Sequence, residues 1–276
     1  MKTVLTDTKA ARYFQKAMAI FGAYFGYYSS PSFIVLGAQK AGTTSLYHIL
    51  EQHPNITPSL KKEINFFNVD DRYNKGIGHY GSYFPIPCLV QDGNLLFEAS
   101  PQYIFDKNAP YRLSSYNKNL KYILLLREPS SRALSAWTMY HHHFLTGKFS
   151  HLHDPRSFTE SIETELEDLK QGTQRDKVAY IERGIYVDQL KRYFEVIPRE
   201  NLLIVESTEL QLDLQETTRR ICNFLDIKHI DLESRKANSR RVSNNSDYDA
   251  ELKLLRDFYR PHNERLYSLL GRRFLW

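Results

Sequence analysis

A chain of 276 residues with 42% hydrophobic and 25% charged residues excludes a disordered polymer and has material for one α/β domain with extensions. The net charge of +5 suits an anionic ligand, and no signature of DNA or RNA recognition is present, so no nucleic-acid partner is expected. The two cysteines, Cys88 and Cys222, lie too far apart for a zinc module and read as reduced thiols of a cytoplasmic protein.

Lys9 to Tyr28 is amphipathic, with Phe14, Ala17, Met18, Phe21, Tyr24, Phe25 and Tyr28 at helical spacing and Lys9, Arg12 and Lys16 near its start. Two readings are open: a helix lying at a membrane surface with its cations toward the head groups, or a helix packed on the domain. Its longest apolar stretch, Ala17 to Tyr28, is shorter than the ~18–20 residues that span a bilayer, and it has no small-residue cleavage site. Cytoplasmic residence, with membrane association through residues 9–28 as the variant, is the expectation.

Phe33 to Leu36 is a β-branched and apolar run ending in Gly37. Gly37, Ala38, Gln39, Lys40, Ala41, Gly42, Thr43, Thr44 and Ser45 follow, then Leu46, Ile49 and Leu50 at helical spacing. A buried strand, a tight turn and a helix start follow from that order, and the exposed N–H groups of such a turn attract phosphate. The spacing of Gly37 and Gly42 is that of a Walker A loop, but Thr43 stands where the lysine belongs and Lys40 lies inside the loop. An NTPase would also need an acidic Mg²⁺ ligand at the end of a second strand.

The helix after the loop should stop near Gln52, before Pro54. Lys61-Lys62-Glu63-Ile64-Asn65-Phe66-Phe67 carries one carboxylate between lysines and an aromatic run. Glu63 is either a solvated loop charge or a carboxylate at a pocket edge, where partial burial would favour base duty. Asn74 to Pro85, rich in glycine and tyrosine, reads as a short helix covering a cleft. A second strand spans Leu95 to Glu98, with a helix near Asn108 to Tyr116.

Leu120 to Leu126 is a continuous apolar strand of the kind found in the middle of a parallel sheet. It ends in Arg127, so a cation occupies the place of the Walker B acid, which argues against a Mg²⁺-dependent NTPase. Pro129 and Ser130 open a helix on which Ser135 can converge with Arg127 on one phosphate. His141, His142 and His143 point about 100° apart on a helix and cannot chelate one ion, so no metal site is expected.

Ser157 to Glu160 is a capping box opening an acidic helix that ends near Gly172. Tyr186 to Phe194 is a further helix, Asn201 to Val205 a fourth strand, and Leu214 to Leu225 another helix. Ser234 to Asp247 is a basic polar stretch, and a last helix from Tyr248 to Leu270 should break or kink at Pro261. The alternation predicts an α/β fold: a P-loop-like three-layer αβα arrangement with a central parallel sheet. The ligand should lie at the carboxyl ends of the strands, where Gly37, Glu98 and Arg127 fall.

Gly37 to Leu46 resembles the 5′-phosphosulfate loop of sulfotransferases that use 3′-phosphoadenosine 5′-phosphosulfate (PAPS). Leu126-Arg127-Glu128-Pro129 through Arg132 and Ser135 resembles their 3′-phosphate strand and helix. Lys62 to Phe67, Arg183 to Leu190 and Pro261 to Leu266 are similar to the branch that contains the heparan sulfate enzymes and bacterial relatives. The resemblance implies an N-terminal extension at 1–31 and a sulfotransferase domain at 32–276. It implies PAPS as co-substrate, adenosine 3′,5′-bisphosphate (PAP) as product, and no required metal.

It further implies that Lys40 stabilises the transferring group and leaving phosphate, and that Glu63 is the general base. Gly37, Gln39, Lys40, Ala41, Gly42, Thr43, Thr44 and Ser45 would hold the 5′ side, Arg127 and Ser135 the 3′-phosphate, with Arg240 and Arg241 over the nucleotide. The acceptor would be a hydroxyl, or an amine, of a glycan, glycolipid or small molecule. The Tyr73–Phe84 and Lys148–Lys177 stretches are expected to line its entry. Ala99 departs from a lysine that some heparan sulfate enzymes place toward the acceptor, and the family's close cysteine pair is missing. A P-loop nucleotide kinase or NTPase is the alternative. A non-catalytic nucleotide-binding or membrane-adaptor module, which would keep the loop without needing Glu63, is the second.

Overall fold

A computed structural model describes residues 9–147, 149, 153–173, 178–233 and 245–276. Five strands are formed: β1 Phe33–Gly37, β2 Ile56–Pro58, β3 Leu95–Ala99, β4 Lys121–Leu126 and β5 Leu202–Glu206. They make one sheet in the order β2-β3-β1-β4-β5, and the registers β1–β3, β1–β4 and β2–β3 are all parallel. The flanking helices complete the α/β architecture expected of a P-loop-like αβα fold. β1 sits at the centre because every residue of it is apolar or glycine and buried on both faces, as a middle parallel strand requires.

Two compact units make up the chain. The first draws on residues 9–38, 42–125 and 193–233. It holds the sheet almost entire, together with α1 Lys9–Tyr24, α2 Thr43–Leu50, α3 Asp70–Tyr73, α4 Gly76–Gly81, α5 Ala109–Tyr116, α9 Ser207–Leu212 and α10 Leu214–Leu225. The second draws on 39–41, on described residues of 126–192, and on 245–276. It holds α6 Pro129–Thr146, α7 Phe158–Gln171, α8 Tyr186–Phe194 (except its last two residues) and α11 Asp249–Leu270.

Three features differ from the sequence expectations. β2 is a fifth strand, only three residues long and ending in proline, so it has no periodicity to read. α11 runs through Pro261 without a break. α1 ends at Tyr24, ahead of the left-handed Gly26, and turns the opposite face to the protein. Ala19 is buried and Gly22 lies so close to the Tyr27 carbonyl and Ile86 that no Cβ would fit. Of the stripe, Phe14, Phe21, Tyr24 and Phe25 are exposed at 61–85%, while Met18 and Tyr28 are half-buried. The helix packs on the domain through its small residues, and its aromatic face is left to solvent.

Candidate active site

In the first unit the site begins where β1 ends. A Cβ on Gly37 would stand 2.6 Å from Ile104 Cγ2 and 3.0 Å from the Pro101 carbonyl, so only glycine lets the strand leave the sheet here. The Ala38 N–H donates to the Leu125 carbonyl at 2.7 Å, which anchors the loop to β4. Gly42, at φ 96°, then opens α2 without a side-chain cap. The first turn of α2 carries no acid, and Thr43, Thr44 and Ser45 supply its hydroxyls and N–H groups. An uncapped helix start with hydroxyls and no carboxylate has the chemistry of an anion cradle.

Glu63 lies in the same unit, in the loop after β2. Its backbone is left-handed at φ 60°, as is that of Asn65 at φ 51°, positions that residues other than glycine rarely take. The Glu63 N–H donates to the Ala99 carbonyl at 3.1 Å. Its carboxylate is 47% exposed and pairs with Lys62 Nζ at 2.8 Å. In the protein alone Glu63 is thus a solvent-accessible, lysine-paired carboxylate rather than a partly buried one.

In the second unit Gln39, Lys40 and Ala41 meet α6. Gln39 Nε2 donates to the Tyr140 hydroxyl at 2.8 Å, and Lys40 Nζ approaches Met139 Sδ at 3.6 Å. Lys40 is half-buried with φ 69°. Ser135 is one helical turn before Met139 and shares its face of α6. Arg127, at the end of β4, donates from Nη1 to the Lys40 carbonyl at 3.2 Å. The Tyr186 hydroxyl holds the Arg127 carbonyl at 2.9 Å, and burial lowers the Arg127 pKa from its ordinary value. Glu128 turns back to cap its own helix, accepting from the N–H groups of Ser130 and Ser131, so it does not serve as an acidic metal ligand at the strand end. Lys40 and Arg127 therefore lie together in one unit, with Ser135 on the face of α6 that Lys40 approaches.

The donors are amides, glycines and hydroxyls in the first unit, and lysine, arginine and serine in the second. Arg240 and Arg241 lie outside the described residues, as do Lys148 and 174–177 of the expected acceptor entry. Within the Tyr73–Phe84 segment Tyr80, Gly81 and Phe84 are buried and the other residues are exposed or half-buried. Among the described residues no group of three or more His, Cys, Asp and Glu is arranged to hold a metal ion. His141 stacks on Trp137 and His143 packs near Tyr140 and Phe149.

One acid escaped functional reading. Glu98 on β3 is wholly buried, and it accepts from the hydroxyls of Tyr80 at 3.0 Å, Tyr103 at 2.8 Å and Ser100 at 2.6 Å. Burial raises its pKa from 4.5 to about 7. An acid inside an apolar strand is the available signal; Ser100 and Tyr103 follow it closely in the chain, and Tyr80 comes from α4.

A family model described as "Sulfotransferase domain" matches residues 30–253. The chain is 27% identical to "Membrane-associated sulfotransferase kil1" of Dictyostelium discoideum, over 89% of this chain and 66% of that protein. It is 28% identical to "Heparan sulfate glucosamine 3-O-sulfotransferase 3A1" of Mus musculus, over 89% of this chain and 64% of the other. It thus spans a little under two thirds of these curated relatives. Among solved structures, the sulfotransferase from Alicyclobacillus acidocaldarius superposes with a TM-score of 0.67 at 26% identity, covering 89% of this chain and 98% of that one.

Proposed function

The chain belongs to the sulfotransferase domain family, and from that premise we propose that it transfers the sulfuryl group of PAPS to a hydroxyl, or an amine, of a glycan, glycolipid or small molecule. Residues 32–276 form the transfer domain and 1–31 an extension. The observation that carries the reading is Arg127: a half-buried guanidinium at the end of a central strand, bonded to the carbonyl of Lys40, where an NTPase would place a magnesium-binding acid.

Bound PAPS supplies an activated sulfuryl group with PAP as its leaving group. Lys40 offsets the negative charge that grows on the leaving phosphate oxygen. The N–H groups and hydroxyls from Gly42 to Ser45 hold the 5′-phosphate, and Arg127 with Ser135 holds the 3′-phosphate by charge-assisted bonds. Gln39, fixed by Tyr140, keeps the loop in place. Glu63 takes the acceptor proton as the acceptor oxygen bonds to sulfur and the sulfur–phosphate oxygen bond breaks. Lys62, already paired with Glu63, orients the carboxylate. Positioning and cations suffice for such an in-line transfer, so no metal is assigned a role.

The test is transfer of labelled sulfate from PAPS to a panel of glycans, glycolipids and phenols, with and without EDTA. Metal-independent product formation supports the reading. Failure across the panel, with Mg²⁺-dependent ATP hydrolysis instead, would transfer the chain to the kinase class.

We also propose that residues 9–28 contact a lipid surface. α1 exposes Tyr13, Phe14, Ile20, Phe21 and Tyr24, Phe25 just beyond it is exposed too, and the sequence from Lys9 to Tyr28 contains three cations and no acid. Aromatic rings beside cations suit an anionic bilayer interface. Among the described residues no helix is long and apolar enough to cross a membrane. Co-sedimentation with phosphatidylserine vesicles should be lost in Phe21→Glu/Phe25→Glu; unchanged binding removes the helix from that role.

A further inference from the structure

Glu98 sits in a place where a charge is costly to keep. β3 lies between β2 and β1, with Glu98 in register with Ile34, and the residue has 0% exposure. Three hydroxyls compensate it. Tyr80 and Tyr103 donate to Oε1, and Ser100 donates to Oε2.

Two of these hydroxyls do a second job. Ser100 Oγ accepts the Asn65 N–H at 3.0 Å, and the Tyr103 hydroxyl accepts the Phe66 N–H at 2.9 Å. Each hydroxyl has one proton. While that proton is committed to the Glu98 carboxylate, the oxygen lone pairs face the loop amides, and the chain of bonds polarises in one direction. The amides belong to the loop that carries Glu63, with Glu63 and Asn65 both in the left-handed region. Arg72 and Arg112 also hold this loop, donating to the Ile64 and Phe67 carbonyls.

We propose that Glu98, as a carboxylate, is the positioning residue that holds the Lys62–Phe67 loop, and with it the Glu63 base, in working conformation. The proposal rests on the assignment of Glu63 as base. Nothing in apolar packing requires an acid on β3; a leucine would fill the space without desolvating a charge. What the acid adds is a fixed direction for two hydroxyls.

Protonation of Glu98 turns one oxygen into a donor, so one hydroxyl must give up its donor role and the relay to the loop slackens. Burial brings that event close to neutral pH, with the pKa raised to about 7. The titratable groups that face Glu98 are Lys62 from the loop, Tyr80 from α4, Tyr103, and Tyr116 from α5. Tyr80 and Tyr103 are raised well above 10 and Tyr116 is raised as well, so these hydroxyls keep their protons through the neutral range. Lys62 favours the charged carboxylate.

The experiment uses the full chain with Glu98→Gln and, as a second variant, Tyr103→Phe, which leaves the acid in place but removes one relay. Amide hydrogen exchange is read at Asn65 and Phe66 against amides of β1 and β4. Exchange at the two loop amides should rise about tenfold or more relative to the strand amides in both variants. With PAPS and an accepted acceptor, kcat should fall about tenfold or more, as expected for a displaced catalytic group, with KM for PAPS within about twofold. The limb of the kcat profile near neutral pH should vanish in Glu98→Gln.

Loop exchange unchanged in a folded Glu98→Gln overturns the proposal. Raised exchange with full kcat overturns its catalytic half and also counts against Glu63 as base. Absence of transfer by the wild type is a failure of the functional reading instead, and the exchange comparison still decides whether Glu98 holds the loop.

Discussion

Replacing Glu98 with glutamine should make the protein more stable than the wild type at pH 8 and about as stable at pH 4.5. The reason is the sign of the proton linkage. In the folded state the Glu98 pKa rises from 4.5 to about 7 because burial disfavours the charge. Between those values the native state keeps a proton that the unfolded chain has released. Stability from this group is therefore full below pH 4.5 and declines as pH climbs toward 7. At about 1.4 kcal/mol per pH unit the loss approaches about 3 kcal/mol. Glutamine imitates the protonated acid and has no such slope. The assay is urea unfolding of both proteins from pH 4.5 to 8, with the difference curve isolating Glu98 from every other titrating group. A difference that stays flat, or that favours the wild type increasingly toward pH 8, refutes the burial argument. The cost of this charged state is also what makes it informative: stability is given up at neutral pH for the direction of two hydroxyls.

Three further outcomes follow from the site geometry. Gly37→Ala places a methyl group 2.6 Å from Ile104 Cγ2 and 3.0 Å from a backbone carbonyl, so a thermal melt should show destabilisation of about 1–3 kcal/mol together with loss of PAP binding. A normal melting temperature with intact binding means that β1 leaves the sheet by another route. Lys40→Ala should abolish detectable sulfate transfer in single-turnover assays, since the charge on the leaving oxygen loses its partner; residual transfer within tenfold of the wild type removes Lys40 from the chemistry. Glu63→Gln should bind PAP as the wild type does, measured by calorimetry, while turnover falls by about a hundredfold or more. Full turnover in Glu63→Gln assigns the proton to another base.

The sequence and the structure agree where local pattern is sufficient. β1, its glycine exit and α2 are visible because an apolar β-branched run, two glycines and helical spacing succeed one another without interruption. The strand ending in Arg127 and the helix after it are equally legible, since Pro129 marks the start of α6. Legibility ends where a residue's meaning depends on distant partners. Aromatics at helical spacing in α1 fit either a membrane-facing or a domain-facing stripe, and spacing does not show that the protein docks that helix through Ala19 and Gly22. Glu98 stands at a strand end with Ser100 and Tyr103 close by in the chain, but Tyr80, eighteen residues away on α4, meets it only in the folded protein. Glu63 reads from sequence as either a solvated loop charge or a carboxylate at a pocket edge; the structure gives it an exposed carboxylate and a constrained backbone, a combination no spacing rule encodes.

The claim that this site is built for a 3′-phosphorylated nucleotide is tested most directly by calorimetric binding of PAP against AMP, in the wild type and in Arg127→Ala. A charge-assisted contact contributes about 1.5–3 kcal/mol. The wild type should therefore prefer PAP by at least about tenfold, and Arg127→Ala should erase most of that preference while leaving AMP binding in place. Equal affinity of the wild type for PAP and AMP would contradict the account.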